Sequence, residues 1–186
     1  MGSLTEEQKS ILIGSLLGDG TLRKKKNTLL EINHSSKQRE YVFWLCSKFR
    51  EYVSTPPKLR INGLGRTSYR FTTQSISHLN EFYESFYLLN GQKKLPNTLE
   101  LDNLSLAVWF MDDGSRSRNS VYFNTQQFNK KDQEVLIQLL REIFNLKATL
   151  NRDKCYYRIR IACDSMDHFS DLVSPFIIKS MRYKLP

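Results

Sequence analysis

The sequence predicts an α+β protein made of two pseudo-symmetric αββαββα repeats, and three observations carry that prediction. Segments of helical and strand periodicity follow one another in the order α-β-β-α-β-β-α, and the order recurs after about residue 104. Shifted by 90 residues, Ser75, His78, Phe86, Lys94, Leu95 and Pro96 fall on Ser165, His168, Phe176, Lys184, Leu185 and Pro186. Each half also opens on an apolar run that ends in Asp-Gly, "LIGSLLGDG" at 12–20 and "LAVWFMDDG" at 106–114. The repeats are placed at 1–97 and 98–186, and a pseudo-two-fold axis should relate them.

The elements follow in order. "TEEQ" at Thr5–Gln8 fits a capping box, so a helix starts there and stops at Asp19-Gly20. "TLRKKKNTLLEINHS" reads as a basic hairpin turning near "KKN", with alternation in Leu30, Ile32 and His34. "KQREYVFWLCSKFREYV" is amphipathic at helical spacing; Pro56 and Pro57 follow, then strands "KLRING" and "SYRFTTQ" and the helix "ISHLNEFYESFYLL". In the second half "LSLAVWFM" is apolar, "SVYFNTQQ" strand-like and "KKDQEVLIQLLREIF" amphipathic. "KATLNR" and "YYRIRIA" are strands, and "MDHFSDLVSPFIIK" is the last helix.

With 186 residues, 40% of them apolar, the chain can bury a real core. Its net charge of +9 points to nucleic acid before an anionic membrane. Cys46, Cys155 and Cys163 are odd in number and lack C-x-x-C spacing, which argues against a disulfide framework and a zinc site and for buried thiols in a reducing, intracellular setting. The N-terminus lacks signal-peptide character, and no apolar run approaches a bilayer's thickness.

The paired Asp-Gly motifs ask for a specific chemistry. A helix C-terminus carries partial negative charge, so a carboxylate there is disfavoured. If the two motif helices pack across the axis, Asp19 and Asp113 come together and repel. Divalent cations remove that conflict, and Mg²⁺ suits hard oxygen ligands. One Asp-Gly alone would read as an ordinary turn; its occurrence in both repeats favours the metal. Gly14, Gly18 and Ala107 permit close helix contact, although Val108 and Trp109 stand where the first copy has Gly14 and Ser15. Asp112, opposite Gly18, has no partner carboxylate and reads as auxiliary or solvent-facing.

On these motifs, together with "KKLP" and "YKLP" closing the two halves, the chain resembles the LAGLIDADG homing endonucleases of the single-chain, two-motif class. The resemblance spans nearly the whole chain. It implies a monomer with two four-stranded antiparallel sheets forming a saddle over double-stranded DNA, the motif helices at its centre. It implies metal coordination by Asp19 and Asp113, assisted by the backbone carbonyls of Gly18 and Asp112. Mg²⁺ is the expected cofactor, with Mn²⁺ or Ca²⁺ able to occupy the site. Lys94 and Lys184 match the family's active-site basic positions, with Lys93 as the register alternative. Both strands would be cut across the minor groove by metal-assisted attack of water, leaving 3′ overhangs. An intron-encoded, organellar origin (mitochondrion or chloroplast) fits the resemblance.

Strand alternation assigns the reading surface. Lys58, Arg60 and Asn62 share a face while Leu59 and Ile61 point to the core. Ser68, Arg70 and Thr72 oppose Tyr69 and Phe71, and Tyr156, Arg158 and Arg160 oppose Tyr157, Ile159 and Ile161. Tyr122, Asn124 and Gln126 lie together, as do Glu31, Asn33 and Ser35. Arg, Asn and Gln pair bidentately with guanine and adenine edges, so these faces favour major-groove readout. Lys24, Lys25, Lys26, Arg116 and Arg118 in loops suit phosphates. Arg23, Arg66, Asn151 and Arg152 complete the DNA-contacting set. The two halves present different residues, Thr72 against Arg160 and Ser68 against Tyr156, so the target should be long and asymmetric. The alternative is a binding protein, either an intron maturase or a catalytically silent relative. A sugar or nucleotide enzyme is disfavoured, because the chain has neither a Gly-rich phosphate loop nor a Ser/His/Asp order.

Overall fold

A computed structural model describes residues 3–117 and 120–186. Arg118, expected at a phosphate, lies outside the described residues. Helix α1 spans Glu6–Leu17 and starts at the capping box read from the sequence. The Thr5 hydroxyl accepts from the Gln8 amide at 3.2 Å, and the Gln8 side chain accepts from the Thr5 amide at 3.0 Å. Helix α4, Asn103–Asp113, opens on an equivalent box between Asp102 and Ser105. Each box satisfies amides that the first turn leaves without partners.

The two motif helices pack against each other through their small residues. A methyl group on Gly14 would stand 2.5 Å from the Ser105 carbonyl oxygen and 2.7 Å from the Val108 side chain. A methyl group on Gly18 would stand 2.4 Å from the Asp112 side chain. The mismatch of Gly14 and Val108 in the repeat comparison is therefore complementary packing: Gly14 makes the space that Val108 fills. From Leu106 to Asp112 every residue of α4 is buried, which explains its nearly unbroken apolar sequence.

Each half supplies one antiparallel four-stranded sheet. Strands β1 (Thr21–Lys24), β2 (Thr28–Ser35), β3 (Lys58–Ile61) and β4 (Thr67–Thr72) lie in the order β1-β2-β4-β3. Strands β5 (Gly114–Ser117), β6 (Ser120–Phe123), β7 (Ala148–Asp153) and β8 (Tyr156–Ile161) repeat that order as β5-β6-β8-β7. Helices α2 (Arg39–Lys48) and α5 (Lys130–Phe144) pack on the sheets, and α3 (Asn80–Phe86) and α6 (Met166–Val173) follow the last strand of each half. One apolar core joins both halves through α1 and α4. At its centre Trp109 and Phe110 of α4 meet Phe123 and Phe169, with Trp109 and Phe123 ring centroids 4.2 Å apart.

Two expectations are corrected here. Leu59 and Ile61 do not point into the core: they are 51% and 69% exposed. The ten-residue α2 packs on β2 and β4, and edge strand β3 runs beyond that cover. Only Cys46 of the three cysteines is buried; Cys155, in the β7–β8 turn, and Cys163, just after β8, are exposed.

Candidate active site

Helices α1 and α4 end side by side, which brings Gly18-Asp19 and Asp112-Asp113 to one place. The last carbonyls of a helix have no partners within it. Here side chains from elsewhere in the chain supply them. Lys93 Nζ donates to the Leu16 and Gly18 carbonyls, each at 2.9 Å. Lys184 Nζ donates to the Met111 carbonyl and, at 3.1 Å, to that of Asp112. Gln127, from the second half, crosses to donate to the Leu17 and Gly18 carbonyls at 2.7 and 3.1 Å. The Asn124 side-chain amide donates to the Asp113 carbonyl at 2.8 Å. Cations at helix C-termini are favourable, so the two lysines offset both the helix ends and the adjoining carboxylates.

Three side chains of this cluster, Asp113, Asp112 and Lys93, titrate far from their ordinary ranges, and Lys184 is shifted in the same direction as Lys93. Burial, then Asp19 and Asp112, push the Asp113 carboxyl up to about 8 against the lysines' pull. Burial also raises Asp112 to about 6 despite His34 and Tyr41, and lowers Lys93 to about 8 against the attraction of the three aspartates. Lys184 is lowered for the same reason. For Asp19, burial pulls upward but the His34 contact, Lys93 and Lys184 outweigh it, leaving its carboxyl below the usual range. Its side chain is also half exposed.

Asp112 departs from expectation: it is buried rather than solvent-facing. Its carboxylate accepts from the Tyr41 hydroxyl at 2.6 Å and from the Asp19 backbone amide at 3.2 Å. His34 completes the cluster, with Nδ1 3.4 Å from Asp19 Oδ2 and Nε2 3.5 Å from Asp112 Oδ1. A charge this deeply buried is tolerated because it is paired and hydrogen-bonded. Asp112 thus belongs to the second motif helix but is housed by the first repeat.

The lysine register is also corrected. Lys93, not Lys94, reaches the helix ends. Tyr87 and Lys93 form a β-bridge, and the Lys94 amide donates to Phe86 O at 2.8 Å. In such an extended segment successive side chains point to opposite sides, so only one of the pair can face the aspartates. The Gly18 carbonyl already accepts from Lys93 and Gln127, which occupies both its lone pairs. A cation taking this oxygen would have to displace one of these donors. The Asp112 carbonyl accepts from Lys184.

The residues that fit a hard divalent cation are the Asp19 and Asp113 carboxylates. Among the described residues nothing donates a hydrogen bond to the Asp113 carboxylate, so its oxygens are left for a ligand. His34, Tyr41 and Gln127 were absent from the sequence-derived site. An imidazole on the core face of an otherwise aliphatic strand was the one available signal, at His34.

The sheets place most of the expected reading residues on one face. Asn33, Lys58 and Arg70 stand in register across β2, β3 and β4, and Ser35, Ser68 and Arg60 form the adjacent row. Glu31 sits among them: Arg70 and Arg23 both pair with its carboxylate, Arg23 at 2.8 Å. Thr72 lies opposite Glu31. In the second sheet Tyr122 pairs with Arg160, Asn151 with Arg158, and Asp153 with the exposed Tyr156. The Arg158 guanidinium lies over the Tyr122 ring, 4.2 Å from its centroid, and Arg160 donates to Ser120. Lys25, Arg66 and Arg152 are exposed in or beside turns.

Four of the expected contacts are otherwise engaged. Asn62 is not on the β3 face: its side-chain oxygen accepts from the Leu64 and Arg66 amides and closes the β3–β4 turn. Arg116 is in β5 opposite core-facing Val121 and donates to the Leu185 carbonyl. Asn124 holds the Asp113 carbonyl, and Gln126 donates to Asp153 at 3.2 Å.

Fold and site together define a two-repeat α+β protein whose acidic, lysine-bracketed centre lies at the junction of its repeats, flanked by polar sheet faces. The sequence matches the LAGLIDADG DNA endonuclease family over residues 9–169, and the chain belongs to that family. It is 32% identical over 197 residues to the probable intron-encoded endonuclease 1 of Wickerhamomyces canadensis, covering 98% of this chain and 85% of that one. It is also 32% identical over 205 residues to the cytochrome b mRNA maturase bI2 of Saccharomyces cerevisiae, covering all of this chain but 48% of the maturase. The structure of the homing endonuclease I-WcaI bound to its DNA recognition sequence superimposes with a TM-score of 0.91 at 32% identity, covering 100% of this chain and 88% of that one. I-DmoI in complex with DNA and Mn shares the fold, with a TM-score of 0.57 at 13% identity.

Proposed function

We propose that the protein is a site-specific DNA endonuclease that acts as a monomer and hydrolyses one phosphodiester in each strand of a long, asymmetric duplex target. The observation that carries this reading is the juxtaposition of the Asp19 and Asp113 motifs between two lysines, in a fold shared end to end with a DNA-bound homing endonuclease. Asp19 and Asp113 hold the metal, for which Mg²⁺ is the natural ion. When bound, a divalent cation neutralises phosphate charge and makes water a better nucleophile. The protein's own groups do the rest. Each lysine ammonium spends two of its three donors on helix carbonyls. Its third is free for a phosphate oxygen or the attacking water, and its position is fixed before DNA arrives. The sheet faces bearing Asn33, Lys58, Arg60, Arg70, Arg158 and Arg160 bind the major groove and set register. Cleavage across the minor groove leaves 3′ overhangs.

An intron-encoded, organellar setting is supported by the relatives' names. The similarity to two cytochrome b mRNA maturases favours splicing assistance as the second reading. A randomised duplex library incubated with the protein and Mg²⁺, followed by sequencing of the cut ends, tests the proposal. One long non-palindromic site with 3′ overhangs is expected; tight binding without cut ends in Mg²⁺ or Mn²⁺ would favour the maturase.

A further inference from the structure

The two halves of the active site are supported differently. In the first, the half-exposed Asp19 carboxylate has an imidazole behind it, with His34 Nδ1 3.4 Å from Oδ2. The ring itself is fixed. Its side chain is 1% exposed, its Nε2 lies 3.5 Å from the buried Asp112 carboxylate, and its plane leans on Tyr41 at 5.3 Å. Among the described residues Nε2 has no partner of ordinary hydrogen-bond length, so Asp112 is the group it answers.

Among the described residues the second half places no such ring beside Asp113. Thr21 and Ser115, the residues next but one after Asp19 and Asp113, pair with Glu31 and Tyr122. Three residues on from those partners stand His34 and Thr125. Thr125 is fully buried and its hydroxyl donates to Gln133, away from Asp113. Asp113 is held by its backbone carbonyl, through Asn124, and not by its carboxylate. A carboxylate with a buried ring beside it and a carboxylate with no side-chain partner among the described residues are unequal partners for a cation and a phosphate, since loss of positioning slows reactions steeply.

We propose that His34 is a positioning residue for Asp19 alone, bracing it against Asp112, and that this one-sided support makes the enzyme cut the two DNA strands at unequal rates. The inference rests on the endonuclease reading. Its test follows each strand of a cleavable duplex, labelled separately, in single-turnover reactions with Mg²⁺. Wild type is expected to cut one strand first and to accumulate nicked product. His34→Leu should slow one strand on the order of tenfold or more while leaving the other nearly unchanged. His34→Gln, which keeps a side-chain N–H, should restore part of the loss. Equal slowing of both strands, or no change, overturns the proposal.

A cation-free measurement decides the contact itself. Nitrogen NMR of the three histidines in wild type and Asp19→Asn should move the His34 ring signals and leave His78 and His168 in place. Unmoved His34 signals overturn the proposal even where His34→Leu fails to fold. A wild type that cuts no duplex sinks the endonuclease reading, and the strand inference falls with it.

Discussion

At the scale of residues, the site's chemistry turns on charges that the fold keeps close together. Folding raises the Asp113 pKa from 3.8 to about 8, so its ionised form costs the folded state free energy. Stability contributed by this group is therefore full at low pH and is lost as pH climbs toward 8. A cation that binds the ionised carboxylate must displace the proton below that value and gains most above it. The rise in melting temperature that Ca²⁺ gives the protein–duplex complex should accordingly be larger near about pH 9 than near about pH 6; an equal rise at both would contradict the assignment of Asp113 as a ligand. The lysines make a second, sharper prediction. Lys93→Met should reduce cleavage by about a hundredfold, because it removes a pre-placed cation, whereas Lys94→Met should stay close to wild type. The sequence could not choose between them: the 90-residue shift matched "KKLP" to "YKLP" by letter, while a single β-bridge at Tyr87 decides which lysine faces inward. His34, Tyr41 and Asp112 were hidden for a related reason. Their association crosses from one repeat to the other, and no local spacing reports it.

At the scale of elements, the sequence was most informative where one face or one cap decides the outcome. The capping box at Thr5, the basic hairpin and the five further strands β3, β4, β6, β7 and β8 follow from alternation and turn chemistry and are present, whereas β5, the polar Gly114–Ser117, carries no alternation and its Arg116 reads as a loop residue. Edge effects were illegible. Alternation correctly put Leu59 and Ile61 on the face away from Lys58 and Arg60, but nothing local says that α2 is too short to cover them. The motif helices show the opposite case, where small residues foretold a close approach. Gly14→Ala should destabilise the fold by about 1–3 kcal/mol, since the new methyl group meets the Ser105 carbonyl and Val108 with no flexible neighbour to yield. Thermal melting of the variant checks this, and an unchanged midpoint would mean that α1 and α4 can separate locally at little cost.

At the scale of the whole molecule, duplication explains both the symmetry and its breakdown. Two sheets of one strand order flank a shared centre, yet their polar faces differ: Glu31 gathers Arg23 and Arg70 in one, while Arg158 stacks on Tyr122 in the other. A target read by unlike halves has no reason to be palindromic. With a net charge of +9, binding should weaken steeply with salt. A log–log slope of about −5 or steeper would correspond to five or more neutralised phosphates. A shallow slope would remove phosphate contact as the main source of affinity.

The central claim is that Asp19 and Asp113, one from each repeat, together make the cleavage centre. Single-turnover cleavage of a selected duplex by Asp113→Asn, with duplex binding measured on the same preparation, tests it most directly. The account predicts that cleavage of the duplex falls by about a hundredfold or more while affinity is retained. Cleavage at the wild-type rate by a variant that still binds would contradict it.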